Sequence, residues 1–182
     1  MRKFIHLAAF LGAIFAYMIV HEGTHAILAA IWGEYKAIRF SVIGPEVIFQ
    51  TAVENRSGWE WALISGSSNF LTVGIGLVLL RYRNVFISRT ELLIRSIGYY
   101  LNLVMLLADP INLSLGALVY GGDAAGIACG LGVPPAAVHI LGFGVLAINR
   151  EIAASWLLPA YKVERAPFIL KPWFTKEKQM NP

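Results

Sequence analysis

The sequence predicts an all-α polytopic membrane protein of about four to six transmembrane segments, with a small β-hairpin after the first span. Three observations carry this expectation. Hydrophobic residues make up 57% of the 182 and charged residues only 14%, against roughly 45–50% and about 25% in soluble domains. Several apolar stretches approach or exceed the roughly 20 residues needed to cross a bilayer. Between the first two of these the chain turns polar and turn-rich, with two short runs of strand character.

The elements follow in order. The first span covers about Phe4 to Trp32, long enough to tilt or to project beyond the bilayer. Its apolar run continues past any plausible signal-peptide cleavage point, so it reads as a retained span. Residues 37–43 and 47–53 read as strands, joined by the turn chemistry of Gly44-Pro45-Glu46. A second span runs from about Trp59 to Leu80, opening with two tryptophans and holding Gly66, Ser67, Ser68, Gly74 and Gly76, small residues that let helices approach closely. A third covers about Leu92 to Ala108 and ends at Asp109-Pro110, with Asp109 as a helix N-cap and Pro110 at the first helical position. Ile111 to Gly132 is apolar but interrupted at Gly121-Gly122-Asp123, as a broken span or re-entrant element would be. The last apolar segment starts at Pro134-Pro135 and meets Arg150-Glu151 after about 15 residues, a short span followed by an amphipathic piece. Residues 1–160 form one membrane-embedded domain on this reading, and 161–182 a polar tail.

The net charge of +4 comes mainly from basic clusters beside apolar segments. Arg2-Lys3 precedes the first span; Arg81, Arg83, Arg89 and Arg95 separate the second and third; Lys162, Arg165, Lys171, Lys176 and Lys178 occupy the tail. This placement sets topology and contacts anionic lipid headgroups, so the expected partner is the lipid bilayer, not nucleic acid. The one cysteine, Cys129, excludes an intrachain disulfide and a cysteine-based zinc cluster.

The chemistry concentrates in His21-Glu22-Gly23-Thr24-His25. Histidines four apart project from one helix face, about one turn from each other, so both imidazoles can bind one Zn²⁺. Glu22 beside them can serve as the base for a water acidified by the metal. A carboxylate inside a span costs on the order of 2.5–3.5 kcal/mol on insertion scales, which marks it as functional. A catalytic zinc needs a third protein ligand. The two aspartates are the candidates: Asp123, which follows two glycines, with Asp109 in reserve.

His-Glu-x-x-His within a span, followed by a hairpin, resembles the site-2 protease family of intramembrane zinc metalloproteases. Gly66-Ser67-Ser68-Asn69 is similar to that family's Gly-Pro-x-x-Asn motif, with Ser67 in place of proline. Asn112 to Gly126, containing Tyr120-Gly121-Gly122-Asp123, resembles its Asn…Leu-Asp-Gly segment, although Asn102 to Asp109 comes nearer the family's spacing. The resemblance covers residues 15–130. It implies that His21, His25 and Asp123 bind zinc, that Glu22 is the general base, and that Asn69 helps position substrate or the tetrahedral intermediate. It further implies a membrane-protein substrate, hydrolysed at peptide bonds in or near its spans. The hairpin at about residues 37–53 could clamp that substrate as an added strand.

Two alternatives use the same histidines: a membrane metal transporter, and an inactive protease-like scaffold. Other residues read structurally. His6 is interfacial, His139 a packed and hydrogen-bonded histidine, and Cys129 buried and inert. Arg150 and Glu151, adjacent and so not facing on a helix, mark the end of a span.

Overall fold

A computed structural model describes residues 1–41, 44–116, 122–163 and 166–174. Val42, Ile43, Tyr120, Gly121, Arg165, Lys176 and Lys178 lie outside the described residues. The fold is helical with one antiparallel hairpin: α1 (Arg2–Ile31), β1 (Tyr35–Ser41), β2 (Gly44–Phe49), α2 (Trp59–Arg81), the short α3 (Asn84–Ile87), α4 (Leu92–Leu115), α5 (Gly122–Leu131) and α6 (Pro135–Ile152). The last helix continues through a π turn (Ala153–Leu157) into α7 (Leu158–Ala160). That turn precedes Pro159, which has no N–H to offer the helix.

Among the described residues, four helical segments are long and apolar enough to cross a membrane: Arg2–Ile31, Trp59–Arg81, Leu92–Leu115 and Pro135–Ala160. Only 17–44% of each apolar window is buried within the protein. Large apolar side chains point outward, among them Phe70, Ile140, Leu141 and Trp156. Such a surface suits hydrocarbon rather than water.

Side-chain contacts give each helix its direction. His6 on α1 meets Ser96 and Tyr100 near the start of α4, so these two helices run parallel. Trp32, just past α1, stacks edge-on against Trp59 at the start of α2, so α2 runs back. Leu80 at the end of α2 packs with Leu157 and Leu158, and His139 early in α6 hydrogen-bonds the Leu113 carbonyl late in α4. The last helix is therefore antiparallel to α4. Helix α4 sits centrally and touches α1, α2 and α6, while α5 wedges Ala124 and Ala128 against Val138 and Leu113.

Several expectations need correction. Gly44-Pro45-Glu46 is the start of β2, not the turn: Gly44 pairs with Ser41 and Pro45 with Phe40. A two-stranded ribbon has free edges on both strands, where a residue without an N–H costs little. The second strand consequently ends at Phe49, and Val53–Asn55 forms a 3₁₀ turn. Asp109 and Pro110 lie inside α4, which runs on to Leu115. Pro110 cannot donate to the Leu106 carbonyl, but the Asn149 side chain on α6 does so at 2.9 Å. That substitute donor lets the helix pass through the proline. The last segment is one continuous helix rather than a short span and a separate piece.

Arg150 and Glu151 are paired at 2.6 Å, contrary to the expectation from their adjacency. Both reach towards the returning chain: Arg150 binds the Ile169 and Lys171 carbonyls, and Glu151 accepts from the Trp173 N–H. The shared target draws the two side chains together. Cys129 is only half-buried.

Candidate metal centre

Helix α1 presents His21 and His25 one turn apart, 6% and 3% exposed. Their Nε2 atoms are 3.1 Å from each other. Asp123, in the first turn of α5, faces both: Oδ2 is 3.2 Å from His21 Nε2, and Oδ1 is 3.2 Å from His25 Nε2. The three side chains therefore offer one ligand atom each within 4.8 Å and could hold a metal ion. Gly122, with φ +45°, takes the left-handed backbone that starts α5 and aims Asp123 inward; a side chain there would be strained.

The opposite ring nitrogens are occupied. His25 Nδ1 lies 2.6 Å from the Ile64 carbonyl oxygen, which can only accept, so Nδ1 is a donor and the neutral ring presents its lone pair at Nε2. His21 Nδ1 lies 2.9 Å from Asp109 Oδ1. Tyr17 OH and Thr72 Oγ1 also donate to the Asp109 carboxylate, so Asp109 acts as an acceptor and His21 Nδ1 as a donor. In the neutral rings both Nε2 lone pairs are directed towards each other and towards a carboxylate, an arrangement that a bound cation satisfies.

Asp109 is fully buried and meets the far side of the His21 ring, not the cluster of three ligand atoms. Asn69 lies behind Asp123. Its amide donates to the Ser65 carbonyl at 2.9 Å and to Asp123 Oδ2 at 3.2 Å. Asn112 donates to the same carboxylate oxygen at 3.2 Å, and Ser68 Oγ lies 3.0 Å from His25 Nε2. The two motif patches beyond the histidines, around Asn69 and around Asp123, are therefore in contact.

Glu22 accepts a hydrogen bond from the Val47 N–H at 2.9 Å, which ties α1 to β2. Glu22, His21, His25 and Asp123 line one cavity of about 460 Å³, walled on the other side by β2 and the chain that follows it. Asn69 is not among the residues lining it.

Arg56 also lines this cavity, and sequence reasoning passed over it. Its guanidinium lies 4.7 Å from the Phe49 ring centre and 4.3 Å from that of Trp61, with Nε donating to the Thr51 carbonyl at 3.3 Å. Burial there pushes its pKa below the ordinary arginine value. One signal was available: a lone arginine between the hairpin and the second span, shortly before the paired tryptophans Trp59 and Trp61.

Comparison with protein-family models, with curated proteins and with solved structures finds no match.

Proposed function

We propose that this chain is an integral membrane zinc metalloprotease, similar in its site to the site-2 proteases, that hydrolyses peptide bonds in or near the spans of membrane-protein substrates. The observation that carries the reading is the convergence of His21 Nε2, His25 Nε2 and the Asp123 carboxylate in a cavity that Glu22 also lines. The two Nε2 atoms are 3.1 Å apart, Asp123 sets a different oxygen 3.2 Å from each, and one ligand atom per residue lies within 4.8 Å of the others. A tetrahedral site with bonds of about 2.0–2.1 Å has edges of roughly 3.3 Å, which the histidine pair approaches.

A zinc ion bound there supplies Lewis-acid polarisation of the scissile carbonyl and acidifies water. The chain's own groups do the rest. His21, His25 and Asp123 hold the ion. Asp109 and the Ile64 carbonyl fix the two ring orientations from behind, and Asn69 and Asn112 orient Asp123. On this geometry Asn69 acts through Asp123 rather than on substrate. Glu22, held at the cavity wall by the Val47 N–H, accepts a proton from the attacking water and returns it to the leaving amine. Strand β2 lines the same cavity and can receive an extended substrate segment alongside it.

The test compares wild type with Glu22→Gln, measuring zinc content of detergent-purified protein and cleavage of a membrane-protein substrate. About one zinc per chain in both, with cleavage only in wild type, supports the reading. Cleavage that survives Glu22→Gln removes Glu22 from the mechanism. Zinc binding without any proteolysis in wild type favours the transporter or scaffold alternatives.

A further inference from the structure

We propose that the start of α1 and the described chain after Ala160 face the cytoplasm and that the cavity holding His21, His25 and Asp123 opens on the opposite side of the membrane. Its substrates are then membrane proteins cut near the non-cytoplasmic ends of their spans. Only this second statement, on substrates, rests on the proteolytic reading; the orientation stands apart from it.

The argument starts from the helix directions. With α1 and α4 parallel and α2 and the last helix running back, the described chain has two ends. One end gathers the start of α1, the α2–α4 connection and the chain after Ala160. The Tyr99 ring lies 5.4 Å from that of Tyr161, which joins the start of α4 to the finish of the last helix. The other end gathers the hairpin, the start of α2, the end of α4, α5 and the start of α6. Helix α5, at 10 residues, rises only about 15 Å, half the hydrocarbon thickness. It does not cross, so the last helix returns to the side where α1 began.

The charges divide by end. Arg2 and Lys3 open α1, while Arg81, Arg83, Arg89 and Arg95 flank the α2–α4 connection and Lys162 follows the last helix. The described carboxylates at this end are Glu91 and Glu151; Glu151 is paired with Arg150 and reaches the chain after Ala160, where Lys171 adds a further cation. The hairpin end carries Lys36, Arg39 and Arg56 against Glu34, Glu46, Glu54 and Glu60. All these loops are short, the condition under which lysine and arginine determine orientation, and the basic side stays in the cytoplasm. The anionic inner leaflet attracts the same face.

The site belongs to the other end. His21 stands 19 residues from Arg2 and 10 from Ile31, about 28 Å and about 15 Å along the helix. The cavity is walled by residues of the hairpin and of the loop after it.

The experiment is cysteine accessibility in intact cells of an expression host, in a Cys129→Ala background. Ser57→Cys reports on the hairpin end and Thr90→Cys on the basic end; both positions are exposed. Glu54→Cys and Arg89→Cys form a second pair at the same ends, used if either first variant fails to bind zinc. A membrane-impermeant maleimide is expected to label Ser57→Cys in intact cells and Thr90→Cys only after permeabilisation. The reverse pattern overturns the proposal, and equal labelling of both in intact cells overturns a single orientation. Repeating the pair with Glu22→Gln separates the two readings. Unchanged labelling with no proteolysis in the parent chain leaves the orientation standing and removes the protease.

Discussion

Asp109 Oδ1 lies 2.9 Å from Nδ1 of His21, on the side of the ring opposite the nitrogen that faces His25 and Asp123. This is the carboxylate–histidine arrangement that fixes a ligand's tautomer and raises its basicity. The two aspartates thus occupy different positions on one imidazole. Asp109→Asn is expected to keep about one metal per chain but to weaken binding by about 10–100-fold, whereas Asp123→Ala loses the metal. Competition against a chelator measures both. A chain that keeps zinc without Asp123 and loses it without Asp109 would reverse the assignment.

Chelation should destabilise the wild-type protein. A ligand that binds only the folded state contributes about 2.7 kcal/mol at a hundredfold excess over its Kd. The melting temperature in detergent is expected to fall on adding chelator and to recover with zinc. His21→Ala should show neither response. Equal responses in the two proteins would place the stabilising metal elsewhere.

Helices α2 and α5 touch where Gly130 meets Ala62. A Cβ built on Gly130 would lie 2.2 Å from the Ala62 backbone nitrogen, which has no rotamer to yield. Gly130→Ala is expected to cost about 1–3 kcal/mol through overpacking. Because α5 carries Asp123, metal affinity should fall with it. Thermal melting and zinc titration check the pair of effects, and unchanged values for both would contradict this contact.

Asn149 replaces the hydrogen bond that Pro110 removes, donating to the Leu106 carbonyl deep between α4 and α6. Asn149→Leu leaves that carbonyl unpaired, at about 1–3 kcal/mol. Adding Pro110→Ala restores an N–H to the helix and should recover part of the loss. A double variant no more stable than Asn149→Leu alone would show that the asparagine is not compensating the proline.

Arg56 sits between Phe49 and Trp61 at the cavity wall. Arg56→Ala is expected to leave zinc content unchanged. Cleavage should weaken about tenfold through KM, the equivalent of ~1.4 kcal/mol of substrate binding. A fall confined to kcat would instead assign Arg56 to the reacting groups.

What was legible in the sequence is what local periodicity controls. Histidines four apart on an apolar helix must share a face, so His21, Glu22 and His25 could be read as one unit without knowing the rest of the chain. The first three long apolar segments and the presence of a hairpin were legible for the same reason, since length and composition act within each segment, whereas the last read as a short span and a separate piece. The register of the hairpin was not, because Gly44 and Pro45 have turn chemistry locally and join β2 through cross-strand partners on Ser41 and Phe40. Nor was the course of α4. Pro110 breaks helices by local rules, and the donor that lets the helix continue comes from Asn149, 43 residues beyond the carbonyl it serves. The two aspartates show the same limit most sharply. Spacing left Asp123 and Asp109 both open as partners of the histidines. Only the packing of α5 against α2 and α4 beside α1 put one carboxylate before the Nε2 atoms and the other behind His21, because which lone pair meets which proton is a matter of three-dimensional direction that sequence separation does not encode.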